Sequence, residues 1–170
     1  MIKTYLELFD ENPKIKIVSP LDNWGCNTNR TDHQILLELI KKFNIKSFLE
    51  IGTFNGNTAN IVISHPQIEK VATVDVRDRI AELLPEVMYF KNTEEIPDEY
   101  EMVFIDGEHT YEGVAEDYNK ILRNKPKIIA FHDCQIEGVM CFVKGLKDSG
   151  KKVEFIQGNA LIGVEEVTYE

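Results

Sequence analysis

Cysteines, basic residues, long apolar runs and the glycines of a phosphate-binding turn are all scarce in this chain, and each scarcity excludes something. The cysteines are three, Cys26, Cys134 and Cys141, with no C-x-x-C pair among them. An odd, unpaired set fits reduced thiols better than a disulfide framework and offers no structural zinc site. Lysine and arginine number 19 against 29 aspartates and glutamates, a formal net charge of −10. A nucleic-acid backbone needs clustered cations, so nucleic acid is not expected as a partner. The short basic pairs Lys41-Lys42 and Lys151-Lys152 read as solvated faces. No apolar run approaches the ~18 residues of a membrane helix. The opening MIKTYLELFDENPK is interrupted by acidic residues and lacks the apolar stretch of a secretory signal. The expectation is a cytoplasmic protein with no membrane partner.

What the chain does contain is an orderly alternation. Its 170 residues suit one domain around a single core. Residues 1–30 hold Pro13, Pro20, Gly25, four asparagines and one short β-like run from Ile15 to Val18, and read as an N-terminal arm or lid. From Thr31 the pattern changes. Thr31 or Asp32 can cap a helix whose apolar residues Ile35, Leu36, Leu39, Ile40 and Phe43 follow helical spacing to about Asn44. Seven short apolar runs follow: Ser47 to Glu50, Lys70 to Val74, Val87 to Phe90, Met102 to Ile105, Lys127 to Phe131, Lys152 to Ile156 and Leu161 to Val164. Helical stretches or long connections separate most of them, the pattern of a doubly wound, Rossmann-like α/β sheet that is mostly parallel. The last two runs are joined only by Gln157 to Ala160, so the final strand is expected to be antiparallel.

In such a sheet, ligands bind beyond the carboxyl ends of the strands. FLEIGTFNGNTAN, residues 48–60, runs from strand through a glycine turn into helix. Phe54 stands where a dinucleotide turn has its second glycine, and Glu50 places a negative charge before the turn. That environment suits a cation better than a diphosphate. Asp75 ends the second strand at the distance from the turn where a carboxylate can accept both hydroxyls of an adenosine ribose, with a helix cap as the plainer role. Asp106-Gly107-Glu108-His109 follows the fourth strand and His132-Asp133 the fifth.

In order, E-I-G-x-x-x-G, a second-strand Asp, F-I-D-G-E-H-x-Y-E-x-V and A-F-H-D resemble the class I S-adenosylmethionine-dependent methyltransferases, in particular their small O-methyltransferase-like branch. The resemblance runs from about Thr31 to Val164 and makes residues 31–170 the methyltransferase-like domain. It implies a seven-strand sheet with a reversed last strand and a sulfonium cofactor without phosphate. It also implies that Glu50, Gly52, Thr53 and Gly56 surround the methionine part, that Asp75 holds the ribose, that Asn92 and Thr93 touch the adenine, where a plain turn at Lys91-Asn92-Thr93 is the other reading, and that Asp106 lies by the transferable methyl. In metal-dependent relatives a carboxylate at the position of Asp106 and the adjacent pair at His132 and Asp133 hold a divalent cation such as Mg²⁺, which acidifies the acceptor hydroxyl. A histidine in that set is softer than magnesium prefers. Without metal, His109 or His132 could take the acceptor's proton, and both could equally orient carboxylates.

The expected function is O-methylation of a hydroxylated small molecule. The alternatives are a catalytically silent cofactor-binding or interaction protein and, less favoured because of Phe54, a nicotinamide-dependent oxidoreductase. Tyr111 reads as a pocket wall or a half-buried structural ring, Cys134 as packing, and Trp24 with Asn27 to Arg30 as lid candidates. The oligomeric state is left open, a homodimer included.

Overall fold

The computed structural model describes residues 31–77, 83–96 and 99–169. Thr31 closes a capping box at the start of α1 (Asp32–Lys42): its side chain accepts the Gln34 N–H while Gln34 Oε1 accepts the Thr31 N–H. Asp32 in the first turn and Lys41 and Lys42 in the last complement the helix dipole. Ile35, Leu36, Leu37, Leu39 and Ile40 form the buried stripe. Asn44 leaves the helix with φ 52°, a left-handed conformation that asparagine tolerates better than most residues.

The sheet comprises β1 (Ser47–Ile51), β2 (Lys70–Val74), β3 (Val87–Phe90), β4 (Met102–Ile105), β5 (Ile128–Phe131), β6 (Lys152–Gln157) and β7 (Leu161–Glu166). The remaining α-helices among the described residues are α2 (Asn57–Ile63), α3 (Tyr111–Ile121) and α4 (Glu137–Asp148). The strand order is β3-β2-β1-β4-β5-β7-β6, with every pairing parallel except those of β7. The strand positions and the reversed last strand expected from the sequence are present. β7 does not lie at the edge, however. It is inserted between β5 and β6, and the turn narrows to residues 158–160 because β6 runs through Gln157. Burial explains the placement: Ile162, Gly163, Val164 and Glu165 of β7 are all buried, whereas β6 exposes Lys152, Glu154 and Gln157. The more apolar strand takes the interior slot.

Each face of the sheet carries its own core. α1 and α2 pack on one face, where Leu36, Ile40 and Ile61 meet Phe48, Phe104 and Ala130. α3 and α4 cover the other, where Tyr118, Val139 and Val143 meet Leu49, Val103 and Phe131. β4 and β5 are buried along their whole length, as central parallel strands must be. No helix among the described residues is long and apolar enough to cross a membrane.

The register of the central strands places the site. Ile51 pairs with Ile105 and Ile105 with Phe131, so the residues that follow, Gly52, Asp106 and His132, leave the sheet side by side at one edge.

Candidate functional site

Glu50 is only 2% exposed, because β1 is central and its side chain points into the layer beneath the glycine turn. The Thr73 hydroxyl donates to Glu50 Oε2 at 2.7 Å and lies 2.7 Å from the Thr53 hydroxyl. Burial pushes the Glu50 carboxyl up to about 8, more than the Thr73 hydrogen bond lowers it. Gly52 has φ +100°, and a Cβ there would sit 2.1 Å from the main-chain oxygen of Asp106. Only glycine lets the turn approach the end of β4 so closely. Phe54, also at positive φ, is 63% exposed, with its ring turned away from the turn's interior. Gly56, φ 77°, is the N-cap of α2.

Asp75 joins two loops. One carboxylate oxygen accepts the Phe54 N–H at 3.1 Å and the other the Arg77 N–H at 2.9 Å. A turn amide that a diphosphate would use is therefore already taken. Asn92 caps a short 3₁₀ turn (Thr93–Glu95), its side-chain oxygen accepting the Glu94 and Glu95 N–H groups. Thr93 is buried within that turn.

At the ends of β4 and β5 the strand ladder continues one residue further: the Asp106 N–H donates to Ile51 O and the His132 N–H to Ile105 O. Four side chains converge there. His132 Nδ1 lies 3.0 Å from Asp106 Oδ1 and 3.1 Å from Asp133 Oδ2. His132 Nε2 lies 3.0 Å from Asp32 Oδ2, while Asp32 Oδ1 accepts the Ala160 N–H. Burial disfavours a charged ring at His132, but Asp106, Asp133 and Asp32 outweigh it and push its pKa up to about 12. The three carboxylates around it favour the imidazolium form of His132, which can donate both of its N–H groups to them.

His109 differs. Its Nε2 lies 3.5 Å from Asp106 Oδ1 and 3.3 Å from Asp133 Oδ2, yet this buried atom lacks the alignment of a hydrogen bond to either. The link is one of charge and proximity, and Asp106 above all raises the His109 pKa. Asp106 is held below the usual carboxylate range because His109 and His132 together outweigh its burial, and Asp133 chiefly by His132. One ligand atom each from Asp106, His109 and Asp133 lies within 4.8 Å of the others. With a solvent-shielded imidazole nitrogen lacking a hydrogen bond, this oxygen and nitrogen set fits a divalent cation.

A cavity of about 670 Å³ opens beside these groups, walled among others by Asp32, His33, Thr58, Asp106, His132 and Asp133. Glu50, Gly52, Asp75 and Asn92 do not line it, so the turn and the cavity adjoin through Asp106. Of the residues singled out in the sequence, the structure brings Asp106, His109, His132 and Asp133 together, places Glu50, Gly52, Thr53, Gly56 and Asp75 around the turn, and leaves Asn92 in its own cap. Tyr111 packs edge-on against Phe142 rather than lining the cavity. Cys134 is fully buried, and burial pushes its thiol up to about 11. The proposed lid, Trp24 with Asn27 to Arg30, lies outside the described residues.

Asp32 and His33 were not singled out as site residues in the sequence. His33 Nε2 lies 3.2 Å from the Thr58 hydroxyl, and burial lowers its pKa to about 4, keeping the ring neutral. The only local sign was an Asp-His pair directly after a helix cap, which helix capping already explains.

No protein-family model matches the chain, and no curated protein is similar to it in sequence. Solved structures are similar in fold. The O-methyltransferase TomG from Streptomyces achromogenes, involved in tomaymycin synthesis and solved with S-adenosylmethionine, has a TM-score of 0.61 at 15% identity over 97% of this chain and 88% of its own. An O-methyltransferase from Bacillus cereus solved with S-adenosylhomocysteine has a TM-score of 0.61 at 14% identity over 96% and 90%. The methyltransferase domain of the bacterial protein CtHen1 has 0.59 at 16% identity over 79% and 97%. At these identities the likeness is one of fold, and the chain shares the single-domain, Rossmann-like α/β architecture of those methyltransferases.

Proposed function

We propose that the protein is an S-adenosylmethionine-dependent methyltransferase that methylates a hydroxyl group of a small molecule. The position of Asp106 carries the reading: its main chain packs against Gly52 of the turn while its side chain stands in the cavity wall. A methyl donor seated at the turn and an acceptor seated in the cavity would meet there. Holding two reactants in one geometry is the main source of rate in such a transfer. The fold shared with methyltransferases solved with this cofactor or its product supports the same assignment.

Glu50, Gly52, Thr53 and Gly56 would take the methionine part, Asp75 the ribose and Asp106 the methyl end. Asn92, its amide engaged in the cap, would shape the adenine edge. When bound, S-adenosylmethionine would supply the methyl group: the acceptor oxygen would gain it as the sulfur–carbon bond broke, with the bonding pair left on a neutral thioether. Without a cation on its Nε2, His109 is the histidine left to take the hydroxyl proton, by way of Asp106 in the cavity wall, since His109 itself does not line the cavity. His132 is not, because both of its nitrogens already donate to carboxylates. Its charge holds Asp106 and Asp133 together against their mutual repulsion.

Asp106, His109 and Asp133 would hold a divalent cation, and a bound cation would acidify the acceptor hydroxyl. The imidazole in the set suits zinc, iron or nickel better than magnesium, while the two carboxylates also accept manganese. Titration calorimetry with S-adenosylhomocysteine and with NAD tests the reading: binding of the former and none of the latter is expected. The reverse would overturn it.

A further inference from the structure

We infer that Thr73 is a positioning residue that steers Glu50 toward its carboxylate form. Through Glu50 it lets the cofactor turn tell a positively charged sulfonium from the neutral thioether left after transfer. The ligand side of this inference rests on the methyltransferase reading; the action of Thr73 on Glu50 does not.

Strand register brings the two side chains together. Glu50 pairs with Thr73 across β1 and β2 and with Phe104 across β1 and β4, and residues paired in this way project to the same face of a sheet. Glu50 thus has a hydroxyl on one side and an apolar ring on the other. Glu50, Thr53 and Thr73 are all buried, so their polar atoms depend on one another.

The contacts form a chain with a direction. Thr73 Oγ1 lies 2.7 Å from Glu50 Oε2 and 2.7 Å from Thr53 Oγ1. A threonine hydroxyl has one proton to give, and an ionised carboxyl group only accepts. With Glu50 ionised, Thr73 therefore donates to Glu50 and Thr53 donates to Thr73. A neutral Glu50 leaves the order open, since its own proton can go to Thr73. Hydrogen bonds to a charged acceptor are roughly twice as strong as neutral ones, so the chain favours the carboxylate. Its far end is the turn itself: Thr53 follows Gly52, and its carbonyl accepts the Gly56 N–H at 2.7 Å.

The other neighbours set the balance against which Thr73 works. Burial above all, with the through-space charges of Asp106 and Asp75, favours the neutral acid, whereas the hydroxyls of Thr73 and, less strongly, Thr58 favour the carboxylate. His33, whose Nε2 lies 3.2 Å from the Thr58 hydroxyl, is kept uncharged by burial and adds no charge of its own. A sulfonium bound at the turn adds a positive charge that a thioether lacks, and so tips Glu50 to the carboxylate. Removing the Thr73 hydroxyl should therefore tell on the charged ligand and spare the neutral one.

The test is titration calorimetry of S-adenosylmethionine and S-adenosylhomocysteine on the full chain, across neutral and mildly alkaline pH. Wild type, Thr73→Val and Thr73→Ser are compared, with unfolding temperatures measured alongside. In Thr73→Val the affinity for S-adenosylmethionine at neutral pH should fall about tenfold, the effect of a rise of about one pH unit in the Glu50 midpoint. The affinity for S-adenosylhomocysteine should stay near wild type. Raising the pH by about one unit should restore what was lost, which a packing defect would not allow. Thr73→Ser keeps the hydroxyl and should follow wild type. Carboxyl ¹³C NMR on ligand-free protein should place the Glu50 midpoint higher in Thr73→Val than in wild type. If Thr73→Val does not fold, Thr73→Ala takes its place in each comparison. The inference is overturned if the variant weakens both ligands alike, if its pH profile matches wild type, if Thr73→Ser fails as Thr73→Val does, or if the Glu50 midpoint does not move. Binding of neither ligand by wild type would sink the methyltransferase reading, and the ligand-free Glu50 midpoint would then decide the action of Thr73 by itself.

Discussion

Asp32 Oδ2 and His132 Nε2 lie 3.0 Å apart although 100 positions separate the residues in the chain. Through this contact the first turn of α1, the end of β5 and, by way of Ala160, the β6–β7 turn are tied together. Asp32→Ala should lower stability at neutral pH by about 1.5–3 kcal/mol, the range for a hydrogen bond to a charged group. Urea unfolding of wild type and variant checks it. Equal midpoints would show the contact to be idle.

The same cluster sets a pH window. The folded pKa of His132, up to about 12, is above its ~6.5 in an unfolded chain. Its contribution is therefore full below about pH 6.5 and is lost as pH rises toward 12. Asp106 and Asp133 are shifted downward, so theirs is present above the unfolded value of ~3.9 and lost as pH falls through the lowered values. His132→Gln should remove the alkaline part of the profile and destabilise the acidic pair at neutral pH. Thermal unfolding across pH, wild type against variant, is the measurement; superimposable profiles would contradict the assignment.

Glu50 behaves oppositely to those aspartates. Its folded pKa, about 8 against a reference of 4.5, makes the protonated form the stable one, so its contribution is present below pH 4.5 and is lost as pH rises through 8. A bound sulfonium cation would favour the ionised form. The affinity for S-adenosylmethionine relative to the neutral S-adenosylhomocysteine should thus increase between neutral and mildly alkaline pH. Glu50→Gln should flatten that ratio. Calorimetry at several pH values would show a constant ratio in the wild type if the cation does not sense Glu50.

Asp75→Ala should weaken S-adenosylhomocysteine by about 1–3 kcal/mol, through the lost ribose contact and the freed Phe54 and Arg77 amides. Asp75→Asn retains one acceptor oxygen and should recover part of the loss. Unchanged affinity in the alanine variant would leave Asp75 as a loop staple alone.

Gly52→Ala should abolish cofactor binding or cost roughly 1–3 kcal/mol in backbone strain, because its Cβ would meet the Asp106 main-chain oxygen at 2.1 Å. A variant that unfolds cooperatively at the wild-type temperature and binds normally would show that the turn and β4 are not as closely packed as described.

For the metal, Mn²⁺ paramagnetic resonance on the protein without acceptor should show binding that Asp133→Asn and His109→Gln each weaken about tenfold or more. Free Mn²⁺ signal undiminished by wild-type protein would remove the cation from the mechanism and leave His109 to act as base alone.

The strands were legible because each is a short apolar run bounded by polar or turn residues, and α1 because Thr31 precedes a clean helical stripe. Asp106 and His132 were legible as neighbours because each directly follows a central strand, and parallel register carries strand ends to one edge whatever the side chains do. Burial against the helices, by contrast, put β7 inside the sheet, since local spacing specified only its reversal and not its slot. Packing also divided the two histidines. Both follow an acidic or acid-flanked strand end, and only the arrival of Asp32 from α1 occupies the second nitrogen of His132 and leaves His109 Nε2 facing Asp106 and Asp133. The cavity was equally hidden, because its wall is assembled from α1, α2, the end of β5 and the β6–β7 turn. A sequence sets what each segment can do alone through propensity and periodicity; which side chains share a hydrogen bond across 100 positions is decided when the segments pack and burial leaves their polar atoms no other partner.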